Sequence, residues 1–450
     1  MENKSLRNTI LDTLMRIEND QGYSHLLIDH ALKTGTLKKQ DEGLFTEIVY
    51  GTIQRKLTLD YYLTPFIKNQ KKLDSWVKSL LRMSLYQMIY LDRIPDHAVI
   101  HEAVEIAKLH GHKGIASFVN GVLRAVQRKG VPALSAIADD AKRISIATSH
   151  PRWLVDRWIN QYGKEITEEM CQANLDHKIL SIRIQPLKIS RDVAIKQLEQ
   201  EGFIVRPSMF SPQGIIIETG NILKSKLFQE GFITIQDQTS MLVGEMLKLK
   251  PGLKVLDACS APGGKVTHIA EKMKNEGHIY AHDLHAKKVK LIQNKAKQLG
   301  LFIIDSSAAD ARKLRNYYAE ETFDRILVDA PCSGLGVIRG KPEIKYHKQE
   351  SDIVRLAEIQ LDILNQVSPL LKKDGLMVYS TCTVDQQENE QVVQQFSEQQ
   401  SMIEVDQAFF TELPLALQAT PGVSSYGLQI FPQTFQTDGF FLTRFRRKNG

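Results

Sequence analysis

Lys254-Val255-Leu256-Asp257-Ala258-Cys259-Ser260-Ala261-Pro262-Gly263-Gly264-Lys265 decides the reading of this chain. A short apolar run ends in small residues and two glycines, and a helical pattern follows. Strand, turn and helix in that order let the backbone approach a ligand closely at a strand's carboxyl end. The phosphate-binding patterns G-x-G-x-x-G and G-x-x-x-x-G-K-[ST] are both missing, so the turn suits neither a dinucleotide nor ATP.

Around this turn the rhythm is that of an α/β domain. HIYAHDL (278–284), DRILVDAP (324–331) and LMVYSTCT (376–383) read as further strands separated by helical stretches. Such alternation means βαβ units and a mostly parallel sheet. Asp257 closes the first strand, Asp283 the second, and Asp310 follows a third candidate strand. Acidic groups at successive strand ends suit a nucleoside-type cofactor: Asp283 would accept from ribose hydroxyls and Asp310 from an adenine amino group. Residues 257–265 would form the floor of that site.

Upstream the texture changes twice. Before residue 140 the patterns are helical, as in 6–18, 45–67, 77–94, 97–110 and 114–130, with Pro95 as a break. The stretch 131–151 reads as a linker, closed by His150-Pro151. Between 150 and 235, helices (153–163, 193–202) mix with strands (181–189, 214–220, 231–237). The expected organisation is therefore multidomain: an all-α helical domain at 1–140, a small α+β module at 150–235, and an α/β Rossmann-like domain at 236–450.

Composition bounds the function. The chain has 450 residues and a formal net charge of +6, a mild basic excess that is compatible with a polyanionic partner. The four cysteines, Cys171, Cys259, Cys332 and Cys382, include no CxxC pair and no zinc-type spacing. We expect free thiols in a reducing compartment, no metal and no disulfide framework. No signal-like h-region opens the chain, and no apolar run reaches the ~20 residues of a membrane span. We expect a cytoplasmic protein, without membrane attachment and monomeric.

Two thiols carry the chemistry. Cys332 lies beyond one strand in DRILVDAPCSGLGVIR, beside Asp329. Cys382 lies beyond another in LMVYSTCTVDQQENE, at a strand-to-helix turn. Strand-end loops on one edge of a parallel sheet converge on one crevice. A thiolate there suits covalent catalysis on a base whose reacting carbon is a poor nucleophile, such as carbon 5 of cytosine. Lys265 would supply positive charge, and Asp329 would hold the N3/N4 edge of the base. Either cysteine fits the nucleophile on physical grounds.

The motifs DACSAPGGK, DAPCSG and STCT closely resemble those of the two-cysteine RNA cytosine-5 methyltransferases. The resemblance implies S-adenosylmethionine at 259–265, ribose contact at Asp283, adenine contact at Asp310 and base recognition at Asp329. It makes Cys382 the nucleophile and gives Cys332 the assisting role in product release. Ser260 stands where that family often has alanine. Residues 41–63 and 118–126 resemble the helical NusB-like RNA-binding domain. The two halves together resemble the methyltransferase B (Sun/Fmu) family, which acts on a cytosine of 16S ribosomal RNA. DGFFLTRF (438–445) matches that family's antiparallel last strand.

The implied target is a looped or flipped cytosine. Candidate backbone contacts are Arg55, Lys56, Lys71, Lys72, Arg124, Arg128 and Lys129, with Arg444, Arg446 and Arg447 near the end. Three other readings compete. One is cytosine methylation of tRNA or of another rRNA. A second is a non-catalytic RNA-binding or antitermination factor, against which the intact thiols and glycine loop argue. The third is an adenine amino-methyltransferase, for which Asp329-Ala330-Pro331-Cys332 is a poor match to D/N-P-P-Y/F.

Overall fold

A computed structural model describes residues 5–19, 23–33, 37–68 and 72–448, so Lys71 lies outside the described residues. The chain divides into two compact units, one of 1–176 with 338–348, the other of 177–337 with 349–450.

The first unit is helical. Helices Leu6–Asn19, Glu42–Gln54, Ser75–Tyr90, Asp96–His110 and Lys113–Lys129 bury their apolar stripes on one core that includes Leu14, Phe45, Ile48, Leu80, Leu85, Ile100 and Leu123. Apolar residues three and four positions apart, such as Ile10, Leu14 and Ile17 or Phe45, Ile48 and Val49, give these helices their inward stripes. Part of the expected linker is itself helix, Asp140–Thr148, capped by the Asp139 side chain on the Lys142 amide. Ile144, Ser145 and Thr148 are buried, so three inward positions hold this segment as helix despite its polar composition. Helices Arg152–Tyr162 and Lys164–Ala173 also cluster with this unit.

Residues 338–348 belong to it as well. The Ser24 amide and hydroxyl donate to Glu343 at 3.1 and 2.6 Å, Arg339 donates to the Ala173 carbonyl at 2.8 Å, and Lys345 Nζ to the Gln54 carbonyl at 2.9 Å. The sequence-based boundary puts this stretch inside 236–450, whereas the fold gathers it with the helices.

The second unit carries two sheets. The smaller is antiparallel, in the order β2-β3-β1-β4, from β1 (Leu180–Ile184), β2 (Ile204–Pro207), β3 (Gly214–Thr219) and β4 (Ile233–Ile235), with helix Arg191–Gln200 against it. The larger contains, among the described residues, nine strands. Five are parallel, in the order β7-β6-β5-β8-β9: β5 (Lys254–Asp257), β6 (His278–Asp283), β7 (Ile304–Ala308), β8 (Phe323–Asp329) and β9 (Leu371–Thr381). An antiparallel extension adds β10 (Ile403–Val405), β11 (Val423–Ser424), β12 (Gly427–Ile430) and β13 (Phe440–Arg447).

Alternation along the central strands explains why this sheet is covered on both faces. Val255, Leu327 and Val378 enter one core with Val266, Ile269 and Ile292; Leu256, Ile326, Val328, Met377 and Tyr379 enter the other with Ile363, Leu364 and Val393. The mostly parallel sheet is as the strand–helix alternation indicates, and the antiparallel last strand is as the family resemblance implies. The three short strands β10 to β12 carry too little pattern to be read from it.

Arg444 corrects the expectation of an RNA contact. It is 1% exposed, with Nε 2.7 Å from Asp406 and Nη1 2.6 Å from Glu412. Arg446 pairs with Glu404, and Arg447 with Glu321 and the Leu371 carbonyl. Arg444 shares a face of β13 with Phe440 and Leu442, which lie in the core, whereas Arg446 two residues on is exposed near the strand's end. Among the described residues, no helix is long and apolar enough to cross a membrane.

Candidate active site

Strand order reverses between β5 and β8, and a crevice opens at such a point beyond the carboxyl ends of the strands. The turn after β5 is pinned there. The Ala258 amide donates to the Leu327 carbonyl at 2.9 Å, the Ser260 amide to the His282 carbonyl at 2.7 Å, and the Gly263 amide to the Ser260 carbonyl at 2.8 Å. Ala261-Pro262 is cis. Gly263 sits at φ +101°, where an added Cβ would also stand 3.2 Å from Ile292 Cα, so only glycine makes this turn without strain.

Helix Gly264–Lys272 is locked from the small sheet. Arg183 of β1, fully buried, pairs with Glu271 at 2.7 Å and donates to the Gly264 carbonyl at 2.8 Å and to Thr267 at 3.1 Å. A guanidinium meeting a carboxylate with two parallel bonds fixes orientation as well as distance. Nothing in SIRIQ distinguishes this arginine from an exposed one, except that it lies one residue from two buried isoleucines.

Asp257 is wholly buried, and burial raises its acid to about 7 against the pull of Ser260. Burial, then Asp257 and Asp329, push the Cys259 thiol up, so it stays protonated. At the next strand ends, Asp283 accepts from the His285 amide at 3.1 Å. Asp310 caps the turn Ala311–Asn316, and Arg312 holds its carboxyl below the usual range through contacts at 2.7 and 3.0 Å.

Asp329, at the end of β8, takes Lys265 Nζ on one oxygen and the Ser380 hydroxyl on the other, each at 2.8 Å. Burial disfavours the Lys265 charge, but Asp329, with Cys382 and Asp257, outweighs it and leaves the pKa above the ordinary lysine value. Its ammonium also lies 5.2 Å over the Phe440 ring. Beyond β8 and β9 the two thiols meet: Cys332 Sγ and Cys382 Sγ are 3.3 Å apart. That contact, and then burial, push the Cys332 thiol well above its ordinary value.

The sequence-derived residues thus converge at one strand edge. Four supporting residues escaped sequence reading: Ser380, Phe440, Glu388 and Asn389. Only the last two gave a signal, as a polar Glu-Asn pair just ahead of a helix.

The turn also accommodates a nucleoside-type cofactor. A Cβ on Gly264 would meet nothing closer than Gln236 at 4.0 Å, so open space lies beside the backbone where the turn enters the helix.

Comparison with known proteins assigns the class. Residues 244–446 match the model of the 16S rRNA methyltransferase RsmB/F, residues 4–128 the NusB family, and residues 150–222 the ferredoxin-like domain of RsmF/B-like methyltransferases. The chain is an S-adenosylmethionine-dependent RNA methyltransferase. It is 48% identical to the probable ribosomal RNA small subunit methyltransferase B of Bacillus subtilis, over 100% of both chains. The relative of the same name from Synechocystis is 32% identical over 98% of this chain and 99% of its own. The solved structure of PH0851 superposes with a TM-score of 0.82 at 26% identity, covering 99% of each chain. This chain belongs to the RsmB/F family of 16S rRNA methyltransferases.

Proposed function

We propose that the protein methylates carbon 5 of one cytosine in 16S ribosomal RNA through a transient bond between Cys382 and carbon 6 of that base. The observation that carries this is the thiol pair, 3.3 Å apart at the ends of two adjacent parallel strands, with the Lys265–Asp329 ion pair on the same strand edge.

Thiolate addition to carbon 6 turns the cytosine ring into an enamine whose carbon 5 is nucleophilic. Lys265, kept charged by Asp329 and in electrostatic reach of Cys382, favours the thiolate. Asp329 is held by Lys265 and Ser380 in an orientation suited to the N3/N4 edge of the base. S-adenosylmethionine, when bound, supplies an electrophilic methyl group. Asp283 is suited to its ribose, Asp310 to its adenine, and 257–265 to the rest. Aromaticity returns when the carbon 5 proton leaves and the Cys382 sulfur departs from carbon 6, and Cys332 assists there.

A base in folded RNA is stacked, so the target must be looped or flipped. The helical region 1–140 and the module 150–235 would hold the RNA backbone. Lys72, Arg124, Arg128 and Lys129 are exposed and available for phosphate contact, whereas Lys56 is already paired with Glu18 at 2.6 Å.

The test incubates purified protein with S-adenosylmethionine and transcribed 16S rRNA, followed by bisulfite mapping, for the wild type and Cys382→Ala. One new site that the variant loses is the expected result. Continued methylation by Cys382→Ala would move the nucleophile to Cys332. Methylation of tRNA in place of 16S rRNA would overturn the substrate and leave the chemistry.

A further inference from the structure

We infer that the consecutive residues Glu388 and Asn389 are the positioning element of the thiol pair, each bracketing one cysteine through the residues on its two sides. Both are fully buried. Glu388 accepts from the Ser333 amide at 2.8 Å and from the Ser333 hydroxyl, immediately after Cys332. Gln360 bridges Glu388 to the other side, its Nε2 donating to Glu388 and to the Pro331 carbonyl, each at 3.0 Å. Asn389 does the same for Cys382: its Oδ1 accepts from the Thr381 hydroxyl at 2.6 Å, and its Nδ2 donates to the Thr383 carbonyl at 3.2 Å.

The two brackets share one peptide bond, so the loops cannot drift independently. Ser333 and Thr383 hydroxyls join them directly at 2.8 Å, and the Tyr379 hydroxyl anchors the Glu388 carbonyl at 2.6 Å. Buried, fully satisfied polar networks of this kind rigidify the groups they hold. A carboxylate and an amide side by side supply what the two buried strand-end loops need: acceptors for one loop, and both an acceptor and a donor for the other. Neither residue is placed to touch a base, so each acts through the thiols. The consequence for methyl transfer rests on the two-thiol reading above, while the geometric claim stands apart from it.

The experiment uses the full chain with Glu388→Ala, Asn389→Ala and Glu388→Gln, the last keeping an acceptor for the Ser333 amide. Hydrogen peroxide is the probe. Each Cys332–Cys382 disulfide consumes two thiols and one peroxide and releases two waters, and peptide mass spectrometry separates this pair from Cys171 and Cys259. Spacing errors of ~1 Å are felt strongly by reactions between held groups. Both alanine variants should therefore form the disulfide at least about tenfold more slowly, with near-normal rates in Glu388→Gln. Calorimetric affinity for S-adenosylmethionine should stay within about twofold, and kcat should fall without a matching rise in KM. Unchanged disulfide formation in both alanine variants overturns the inference. So does a loss of cofactor affinity and thermal stability in step with the thiol effect, which would mean a general structural role. If Glu388→Ala fails to fold, Asn389→Ala reads the same prediction from the other thiol. If wild type marks no cytosine of 16S rRNA while disulfide rates still follow the variants, the substrate reading falls and the positioning role stands.

Discussion

Gly336→Ala should disable methyl transfer while leaving the cofactor turn intact. A Cβ at Gly336 would stand 2.0 Å from the Gly439 carbonyl oxygen and 2.8 Å from the Cys382 carbonyl oxygen. Carbon approaches such an oxygen to about 3.3 Å at closest, so the gap to Gly439 must open by about 1.3 Å. The loop cannot simply retreat. The Gly336 amide donates to the Cys382 carbonyl at 2.9 Å, and its own carbonyl accepts from the Gly439 amide at 2.8 Å. Retreat loses bonds worth about 1 kcal/mol each; staying strains the loop by about 1–3 kcal/mol. Either way the Cys382 backbone moves by a large part of an ångström, and misplacement of ~1 Å costs on the order of a hundredfold in rate. Single-turnover transfer at saturating S-adenosylmethionine is the assay, with calorimetric cofactor binding as control. A folded variant reacting within threefold of wild type would refute the reasoning.

Three further outcomes follow from the packing. Lys265→Met leaves Asp329 with Ser380 alone; transfer should fall on the order of a hundredfold, and the rising limb of the pH–rate profile should move to higher pH, because the thiolate loses its nearby cation. Arg444→Gln should lower stability by about 3–5 kcal/mol, since Asp406 and Glu412 lose a buried partner. Its folded fraction should bind RNA at fixed salt as wild type does, and a lowered RNA affinity with an unchanged melting temperature would restore this residue to the RNA surface. Lys345, wholly buried, is pushed down by burial from 10.5 to about 7. Between those values the unfolded chain holds the proton that the folded chain has lost, so stability rises with pH across that window and the full penalty is present below it. Lys345→Met should flatten that rise and be at least as stable at pH 7 in urea titrations; a steep loss of stability at pH 7 would count against a strained lysine.

The sheet and the site were legible to different depths. KVLDACSAPGGK shows its role because a strand, a small-residue turn and a helix are all local patterns. Cys332 and Cys382 could be brought together from sequence because parallel strand ends share an edge. Arg444 could not be placed, since a basic residue near basic neighbours reads as surface until the strand's partner positions are known. Glu388 and Asn389 show no task in sequence, because their partners lie 55 residues upstream and six to eight residues back along a turn. The helix Asp140–Thr148 reads as linker in sequence because its inward face holds only Ile144, Ser145 and Thr148. Short edge strands such as Val423–Ser424 have no period to read.

The passage of 338–348 into the helical unit bears on how this protein can be cut or joined. A protein severed after residue 176 would yield a helical half without Glu343 to receive the Ser24 amide and hydroxyl, without Arg339 on the Ala173 carbonyl, and without Tyr346 on Ser149. The remaining half would carry a dangling loop between its two cysteine-bearing strands. The helical unit and the unit that carries the thiol pair are thus written into a chain that crosses between them three times rather than once. Rebuilding the helical half on its own would need that eleven-residue piece supplied as a peptide or spliced to its end.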